Sequence, residues 1–300
     1  WAAFAMAVML LARVLAVGVI TYELGGWAAP WGIEYRVDML SAFVLLFVSG
    51  SGAIVATFAP QSIAREIPTD RHYLFFAQYL LCLTGLMGIT ITGDLFNLFV
   101  FLEISALSSY ALISLGRSRR ALMASFQYLV MGTIGATFIL IGIGLMYMMT
   151  GTLNMADFAV KAQALEGGDQ ILLTVAVLLL WVVFGLKAAL FPLYFWLPAT
   201  YANATPAVAA LFAIMTKVGI YAMVRVMALI VAPIPPIGQQ ALWWLGLITL
   251  GLACLGALGA KRLGTAVAYL VVMSVGTLIA AFSAGYGAAL APALYYLVHS

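Results

Sequence analysis

Long apolar stretches make up most of this chain, and short polar segments separate them. Ten of these stretches have the character of membrane-spanning helices, each of which needs about 20 predominantly apolar residues. They are residues 2–22, 39–59, 73–93, 95–115, 121–150, 171–197, 207–232, 241–258, 265–286 and 288–300. The pattern therefore predicts an all-α polytopic membrane protein with about ten transmembrane helices. Only Gly93-Asp94 joins the third and fourth stretches, and we interpret it as a tight turn in which Asp94 caps the following helix.

The composition excludes a soluble globular protein. Hydrophobic residues make up 66% of the chain and charged residues 8%, whereas soluble domains contain about 25% charged residues. The net charge of +3 does not indicate a nucleic-acid partner, because its distribution among the loops is what matters. Cys82 and Cys254 lie in apolar stretches, and only two histidines are present. With no cofactor motif in the sequence, we expect no metal ion, no other cofactor and no enzymatic activity.

The two ends of the chain lie inside apolar stretches, at Trp1 and at Ser300. We therefore expect it to be part of a longer polytopic protein.

Positively charged residues concentrate in alternate loops. When the loops are assigned in turn to the two membrane faces, one face receives seven lysines and arginines and the other receives two. The seven are Arg65, Arg71, Arg117, Arg119, Arg120, Lys261 and Arg262, and the two are Arg36 and Lys161. Cytoplasmic loops carry the excess of lysine and arginine, so the first face is predicted to be cytoplasmic. The same alternation requires residues 171–197 to cross the membrane once.

Three charged side chains, Glu103, Lys187 and Lys217, lie midway along predicted spans. A charge at the centre of a spanning helix costs roughly 2.5–3.5 kcal/mol on insertion scales, so three unpaired charges would cost about 10 kcal/mol. Such a placement indicates function, and the function it favours is proton or ion transport. Two alternatives remain: the lysine stems carry their ammonium groups to an interface, or the charges form a purely structural buried ion pair.

The stretch around Lys187 is predicted to contain a broken helix. Pro192, Pro198 and Pro206 follow it closely, and proline removes a backbone donor and clashes with the preceding turn. Broken helices at membrane depth line cavities or transport sites. Lys187 would then lie at the end of a half-helix, where the free carbonyl groups favour a cation.

A proton relay follows from this chemistry. Burial disfavours the charged form of a lysine and a nearby carboxylate favours it. We expect Glu103 to pair with one of the two lysines. Movement of Glu103 away from Lys187, or hydration of the gap between them, would then release a proton towards Lys217 and onward to His299. Arg225, two turns beyond Lys217 and nearer the helix end, is interpreted as a snorkelling anchor.

Three segments carry a resemblance to a known family: DLFNLFVFLEISALSSYALISLG, MTGTLNMADF and GLKAALFPLYFWLPATYANATPAVAALFAIMTKVGIYAMVR. They resemble the D subunit of Mrp-type multisubunit Na+(K+)/H+ antiporters and, more distantly, the antiporter-like subunits of respiratory complex I. The resemblance implies two inverted five-helix repeats, each with a broken helix, in a protein of about fourteen spans. On this basis residues 1–72 are N-terminal helices, 73–232 the first repeat and 241–300 the start of the second.

The resemblance also assigns roles. It places the family's proton-translocating residues at Glu103, Lys187, Lys217 and His299. The expected function is that of a proton-translocating subunit of a cation/proton antiporter in the cell membrane, with other membrane subunits as partners. The alternative is a proton-pumping subunit of a complex I-like oxidoreductase or a membrane-bound hydrogenase. A third possibility is a structural subunit whose charges only specify packing. Na+ or K+ is expected to cross partly or wholly through a neighbouring subunit.

Overall fold

The structure is a computed structural model that describes residues 1–116, 118–230, 236–283 and 290–300. These residues form helices and one pair of short strands. The helices are α1 (Ala2–Val17), α2 (Met39–Ile63), α3 (His72–Ile91), α4 (Leu95–Ser114), α5 (Arg119–Thr150), α6 (Met155–Ala162), α7 (Gly168–Ala188), α8 (Trp196–Asn203), α9 (Pro206–Ile230), α10 (Pro236–Leu258), α11 (Leu263–Ser283) and α12 (Leu290–His299). The strands are β1 (Ile20–Glu23) and β2 (Glu34–Val37).

Eight segments of the described chain are long and apolar enough to cross a membrane. They are Met39–Ile63, Thr69–Ile91, Leu95–Ser114, Arg119–Thr150, Gly168–Asn203, Pro206–Val226, Gln240–Leu258 and Leu263–Ser283. The predicted polytopic, predominantly helical membrane fold is therefore confirmed. The spans predicted at the two ends of the chain correspond to shorter helices, α1 with 16 residues and α12 with 10. At 1.5 Å per residue, α1 reaches about 24 Å, less than the hydrocarbon core of about 30 Å.

Some sequence-based expectations concern residues that the structure does not describe. Arg117 is one of them, and so are the predicted span ends at 231–232, 284–286 and 288–289. The predicted boundary between the two repeats, at residues 232–241, also falls partly there, and the division into repeats stays a prediction.

Polar side chains fix the first turns of several helices. Asp38 Oδ1 accepts a hydrogen bond from the Ser41 amide at 2.9 Å, at the start of α2. Asp94 caps α4 in the same way, through the Asn97 amide at 2.7 Å, which agrees with the interpretation of Gly93-Asp94 as a tight turn followed by a cap. Ser118 caps α5. Each cap satisfies an amide that the helix itself leaves free.

A two-stranded antiparallel sheet was not predicted. Strand β1 pairs with β2 so that Ile20 faces Val37 and Glu23 faces Glu34. The predicted helix over 2–22 is therefore wrong at its end, because α1 stops at Val17. Both strands alternate β-branched or aromatic residues with polar ones, a pattern that suits a pleated, half-exposed surface. The strands are too short for this alternation to stand out beside the apolar stretch before them.

One end of the helix bundle is tied together by backbone hydrogen bonds. The Gly93 amide donates to the Glu34 carbonyl at 2.9 Å, and the Met155 amide donates to the Gly93 carbonyl at 2.8 Å. The starts of α4 and α6 therefore meet strand β2. We call this the acidic end, because it carries Glu23, Glu34, Asp38, Asp94 and Asp157. The distribution of lysine and arginine predicts that the acidic end faces outward, and this orientation stays a prediction.

Helices α7 and α8 together make a single crossing, as the loop alternation requires. The segment Gly168–Asn203 forms one candidate span of 36 residues that includes both helices. Helices α7 and α8 both pack against α5 and α9, and α8 also packs against α11. The two half-helices therefore share two neighbours across the break.

Helix α9 lies at the centre of the described bundle. Of its spanning window, 83% is buried, whereas 22% of the α10 window is buried. Helices α2, α3, α6, α7 and α11 all pack against α9. Any charged group on α9 is therefore surrounded by protein instead of lipid.

A substitution at Gly85 tests the close packing of α3 on α4. An added Cβ would lie 2.7 Å from the backbone nitrogen of Ser105 and 2.9 Å from the Phe101 carbonyl oxygen. Because backbone atoms cannot move aside cheaply, we expect Gly85→Ala to destabilise the protein by about 1–3 kcal/mol. Thermal unfolding of the purified full-length protein measures this. Gly144→Ala is the control, since a Cβ there meets nothing within 4 Å; equal melting temperatures for the two variants would contradict the packing.

Candidate functional site

The helix that carries Lys187 ends one residue after it, as predicted. Helix α7 ends at Ala188, and Ala189 adopts the left-handed conformation with φ of 64°. The Leu190 amide then donates to the Gly185 carbonyl at 2.8 Å, which closes the last turn. A short 3-10 helix, Leu193–Phe195, leads into α8. The predicted broken helix near Lys187 is therefore confirmed.

Neighbouring elements satisfy the backbone polar groups at this break. The Trp196 indole nitrogen donates to the Leu186 carbonyl at 2.9 Å. The Phe191 amide donates to the Thr249 hydroxyl of α10 at 3.0 Å. Hydrocarbon cannot satisfy such groups, so irregular backbone at membrane depth requires partners from the protein. The break is thus a built feature with hydrogen-bond partners from two other helices.

The Lys187 ammonium is buried without a hydrogen-bond partner in the described part of the chain. The residue is 4% exposed, and its Nζ is enclosed. Its Nζ lies 5.9 Å from the centroid of the Tyr128 ring, within the range of a cation–π contact. An enclosed ammonium held by an aromatic face alone is costly, and a buried amine of this kind is a candidate for reversible protonation.

Three aromatic rings form a wall beside Lys187. Tyr128 of α5 stacks on Trp196 of α8, with ring centroids 4.1 Å apart. Tyr110, from α4, packs against Tyr128 in a T-shaped arrangement, with ring centroids 4.8 Å apart. The Tyr110 hydroxyl is buried and has no hydrogen-bond partner among the described residues. These rings were not predicted from the sequence, because an aromatic residue in an apolar helix looks the same whether it lines a site or packs in the core.

Glu103 does not form the expected ion pair with a lysine. Within the described ranges, ion pairs join Asp157 to Lys161 and Asp38 to Arg225, and none involves Glu103. Glu103 is half-buried on α4 and interacts with Lys187 electrostatically at longer range. Helix α5 packs against both α4 and α7.

Lys217 lies near the middle of α9 and is 2% exposed. It makes no ion pair with any residue that the structure describes. Helix α9 approaches the break closely at Gly219, where an added Cβ would lie 3.1 Å from the Ala188 backbone nitrogen. The Tyr128 hydroxyl also donates to Met215 Sδ of α9 at 3.1 Å. The structure therefore brings the Lys217 segment of α9 against the end of the Lys187 half-helix.

His299 lies apart from these three residues. It is the last residue of α12 and is exposed, and it lines a groove with Phe43, Tyr295 and neighbouring apolar residues. No contact in the described chain joins it to Glu103 or to either lysine. Its role in a relay stays a prediction.

The interpretation of Arg225 as a snorkelling anchor is wrong. Arg225 is 7% exposed, and its Nη1 lies 2.5 Å from Asp38 Oδ2, while Nη2 donates to the Ser41 hydroxyl at 2.9 Å. The guanidinium is therefore held inside the bundle. The sequence contained one indication that Arg225 faces the protein interior. It follows Lys217 by eight residues, a spacing that places both side chains on the same side of the helix.

Metal binding finds no support in the part of the chain that the structure describes. That part contains no group of three or more histidine, cysteine, aspartate or glutamate side chains able to hold a metal ion.

The chain resembles a family of known membrane subunits. Residues 92–300 match the family described as "NADH:quinone oxidoreductase/Mrp antiporter, TM". The chain is 37% identical over 292 residues to the D subunit of the Na(+)/H(+) antiporter of Bacillus subtilis, covering 97% of this chain and 58% of that protein. It is 39% identical over 302 residues to the D subunit of a probable K(+)/H(+) antiporter of Rhizobium meliloti, covering 97% of this chain and 55% of that one.

Other similarities extend beyond antiporter subunits. The N subunit of the NADH-quinone oxidoreductase of Desulforudis audaxviator is 37% identical over 280 residues, covering 92% of this chain and 55% of that protein. Among solved structures, the Mrp complex from Dietzia sp. DQ12-45-1b contains a chain that matches with a TM-score of 0.90 and 29% identity, covering 99% of this chain and 55% of that one. The chain spans a little over half the length of these relatives.

Replacement of Thr249 tests how the break is held. Thr249→Val removes the acceptor of the Phe191 amide, and an unsatisfied buried amide costs about 1–3 kcal/mol. We expect a lower melting temperature of the full-length protein. Thr249→Ser keeps the hydroxyl and serves as the matched control. If valine and serine give the same melting temperature, the contact between α10 and the break does not stabilise it.

Proposed function

Because the chain belongs to the NADH:quinone oxidoreductase/Mrp antiporter family, we propose that it is the proton-translocating part of a multisubunit Na+ or K+/proton antiporter. The observation that carries the proposal is the Lys187 ammonium, enclosed at a helix break and without a hydrogen-bond partner among the described residues. The names of the two antiporter relatives and the similarity to an Mrp complex support it. The chain acts as a transporter subunit, without catalytic chemistry of its own.

Lys187 is the proposed central carrier of the proton. Among the described residues, the Tyr128 ring face and the more distant Glu103 and Cys82 side chains offset its burial. A buried charge with so little compensation is sensitive to small movements of its surroundings. Movement of Glu103 or hydration of the space beside it would change whether the amine holds a proton.

Proton transfer between Glu103 and Lys187 needs a bridge, because the two make no direct contact. Tyr110 lies on the Glu103 helix, two turns further along, and its edge meets Tyr128 beside Lys187. Its buried hydroxyl has no partner in the described chain, so it is free to bond a water molecule that links the two groups. We assign Tyr110 this bridging position.

The onward step leads to Lys217. The close approach of Gly219 to the backbone of Lys187 and Ala188 brings α9 against the broken helix. We propose that a proton released at the break passes to Lys217 on this helix, around the side of α9 that faces away from Gly219. This route runs in the membrane plane, towards α11 and α12, where we retain His299 as the next group.

The metal cation crosses elsewhere in the assembly. Glu103 and the two lysines give a site with one acid and two cations, whereas Na+ and K+ prefer several oxygen ligands. Partner membrane subunits would supply the cation path, and the cell membrane is the proposed location. Whether the cation is Na+ or K+ follows from those partners, since relatives named for each are about equally similar to this chain.

A redox-driven complex is the second candidate, favoured by the similarity to the N subunit of an NADH-quinone oxidoreductase. In that assembly the same residues would pump protons in response to electron transfer in other subunits. Purification of the full-length protein with its natural partners separates the two. Small membrane subunits without iron–sulfur proteins indicate the antiporter, and iron–sulfur subunits indicate the redox complex.

Lys187→Ala tests the central role. In everted vesicles that contain the full-length subunit in its complex, we expect cation-driven collapse of a proton gradient to slow at least about 100-fold, the lower range for loss of a positioned proton-transfer group. Lys161→Ala is the control, because Lys161 is an exposed lysine on α6. Normal exchange by an assembled Lys187→Ala complex would remove Lys187 from the proton path.

Two substitutions test whether the charge of Glu103 contributes to transport. Glu103→Gln removes the long-range attraction to Lys187, and we expect exchange to fall by roughly tenfold, which corresponds to about 1.4 kcal/mol. Glu103→Asp keeps the charge and should retain most of the activity. Equal loss in the two variants would show that the shape of the side chain matters, not its charge.

A further inference from the structure

A buried charged cluster lies on α9 between Lys217 and the acidic end. Arg225 bonds Asp38 and Ser41, and the Ser41 hydroxyl is 3.2 Å from the Tyr221 hydroxyl. The Tyr221 hydroxyl in turn donates to the Thr90 carbonyl at 2.8 Å. The cluster therefore joins α9 to the start of α2 and the end of α3.

The cluster and Lys217 share one face of α9. Tyr221 follows Lys217 by four residues and Arg225 by eight, a spacing that aligns side chains along one side of a helix. At 1.5 Å per residue, the Cα atoms of Lys217 and Arg225 are about 12 Å apart along the helix axis. Arg225 is thus the next charged group that a proton on Lys217 would meet in the direction of the acidic end.

Arg225 also lines a small cavity at the acidic end. It is lined by Arg225 together with Glu34, Arg36, Thr92, Gly93 and Met155. These residues come from strand β2, the α3–α4 turn and the start of α6, all at the acidic end. Arg225 is therefore both part of the wall of this cavity and the last member of the row of side chains on α9 that starts at Lys217.

The chemistry of the cluster suits a barrier and not a relay. A guanidinium does not release its proton in proteins, so it cannot pass one on. The Tyr221 proton is committed to the Thr90 carbonyl. Burial raises the pKa of Asp38, but hydrogen bonds from Arg225 and Ser41 hold the pKa below its usual value, so the pair stays ionised at neutral pH. A group that cannot release its proton interrupts a chain of proton carriers, and its positive charge disfavours a second cation beside it.

We propose that the Asp38–Arg225 pair, with Ser41 and Tyr221, is an electrostatic seal that closes the first repeat towards the acidic end. The seal confines a proton on Lys217 to the route in the membrane plane. This inference rests on the proposed proton transport. The alternative interpretation is that these contacts only tie α2 to α9. In that case the charge of Arg225 has no effect on the movement of protons.

The charge is tested with Arg225→Gln and Arg225→Lys in the full-length complex, reconstituted in liposomes. The measurement is passive proton leak under an imposed pH gradient, without Na+ or K+. We expect Arg225→Gln to raise the leak at least about tenfold, which corresponds to about 1.4 kcal/mol of barrier. Arg225→Lys keeps the charge and should stay tight. Asp157→Asn breaks the exposed ion pair with Lys161 and is the control for loss of an ion pair as such.

The outcomes separate the interpretations. A tight, assembled Arg225→Gln complex overturns the seal, and so does equal leak in the glutamine and lysine variants. If Arg225→Gln does not assemble, Asp38→Asn is measured instead, because it leaves the guanidinium in place. Its complex is expected to stay tight, and an assembled Asp38→Asn complex that leaks would overturn the seal. Lys217→Ala in the leaking background should abolish the leak, and a persistent leak would show a route that bypasses Lys217. Because passive leak needs no cation exchange, this result is independent of the Lys187→Ala exchange assay.

Discussion

Hydrogen bonding at the break between α7 and α8 is the constraint on which the rest of the site depends. Hydrocarbon offers no partners to free amides and carbonyls, so the helix ends only because other elements supply them. Trp196 and Thr249 do so from α8 and α10. The same closure fixes the backbone at Lys187 and leaves the side chain to Tyr128. One local arrangement therefore closes the break and also leaves the Lys187 amine without a hydrogen-bond partner among the described residues.

The buried charges are kept apart instead of being neutralised in contact. The described chain shows no direct ion pair between the acid on α4 and the lysine on α7. A contact pair would hold its proton in one place, because breaking a buried pair costs several kcal/mol. Separated charges influence each other weakly enough that hydration or a small helix movement changes the balance. The tight buried pair between Asp38 and Arg225 involves a group that cannot exchange protons.

The sequence predicted those features that depend on local chemistry. Apolar length predicted the spans, Asp94 the cap of α4, and Pro192 the break after Lys187. What it missed depends on contacts between distant segments. Strand β1 follows an apolar stretch that resembles the rest of a helix, Tyr110 and Tyr128 resemble core residues, and Arg225 resembles an anchor until Asp38 is placed beside it. Separation by 187 residues along the chain hides that pairing from any local pattern. The expected contact between Glu103 and a lysine is absent for the same reason, because the relative positions of α4 and α7 depend on tertiary packing.

The enclosure of α9 has a consequence for how the protein is made. The window Pro206–Val226 carries both Lys217 and Arg225, and two unpaired cations in one span cost roughly 5–7 kcal/mol on insertion scales. Taken alone, this helix would be retained poorly by the bilayer. Helix α2, with Asp38 at its start, is synthesised much earlier and already offers the partner for Arg225. Insertion of α9 is therefore coupled to the presence of the preceding helices, and the biogenesis of this membrane domain is cooperative and not helix by helix.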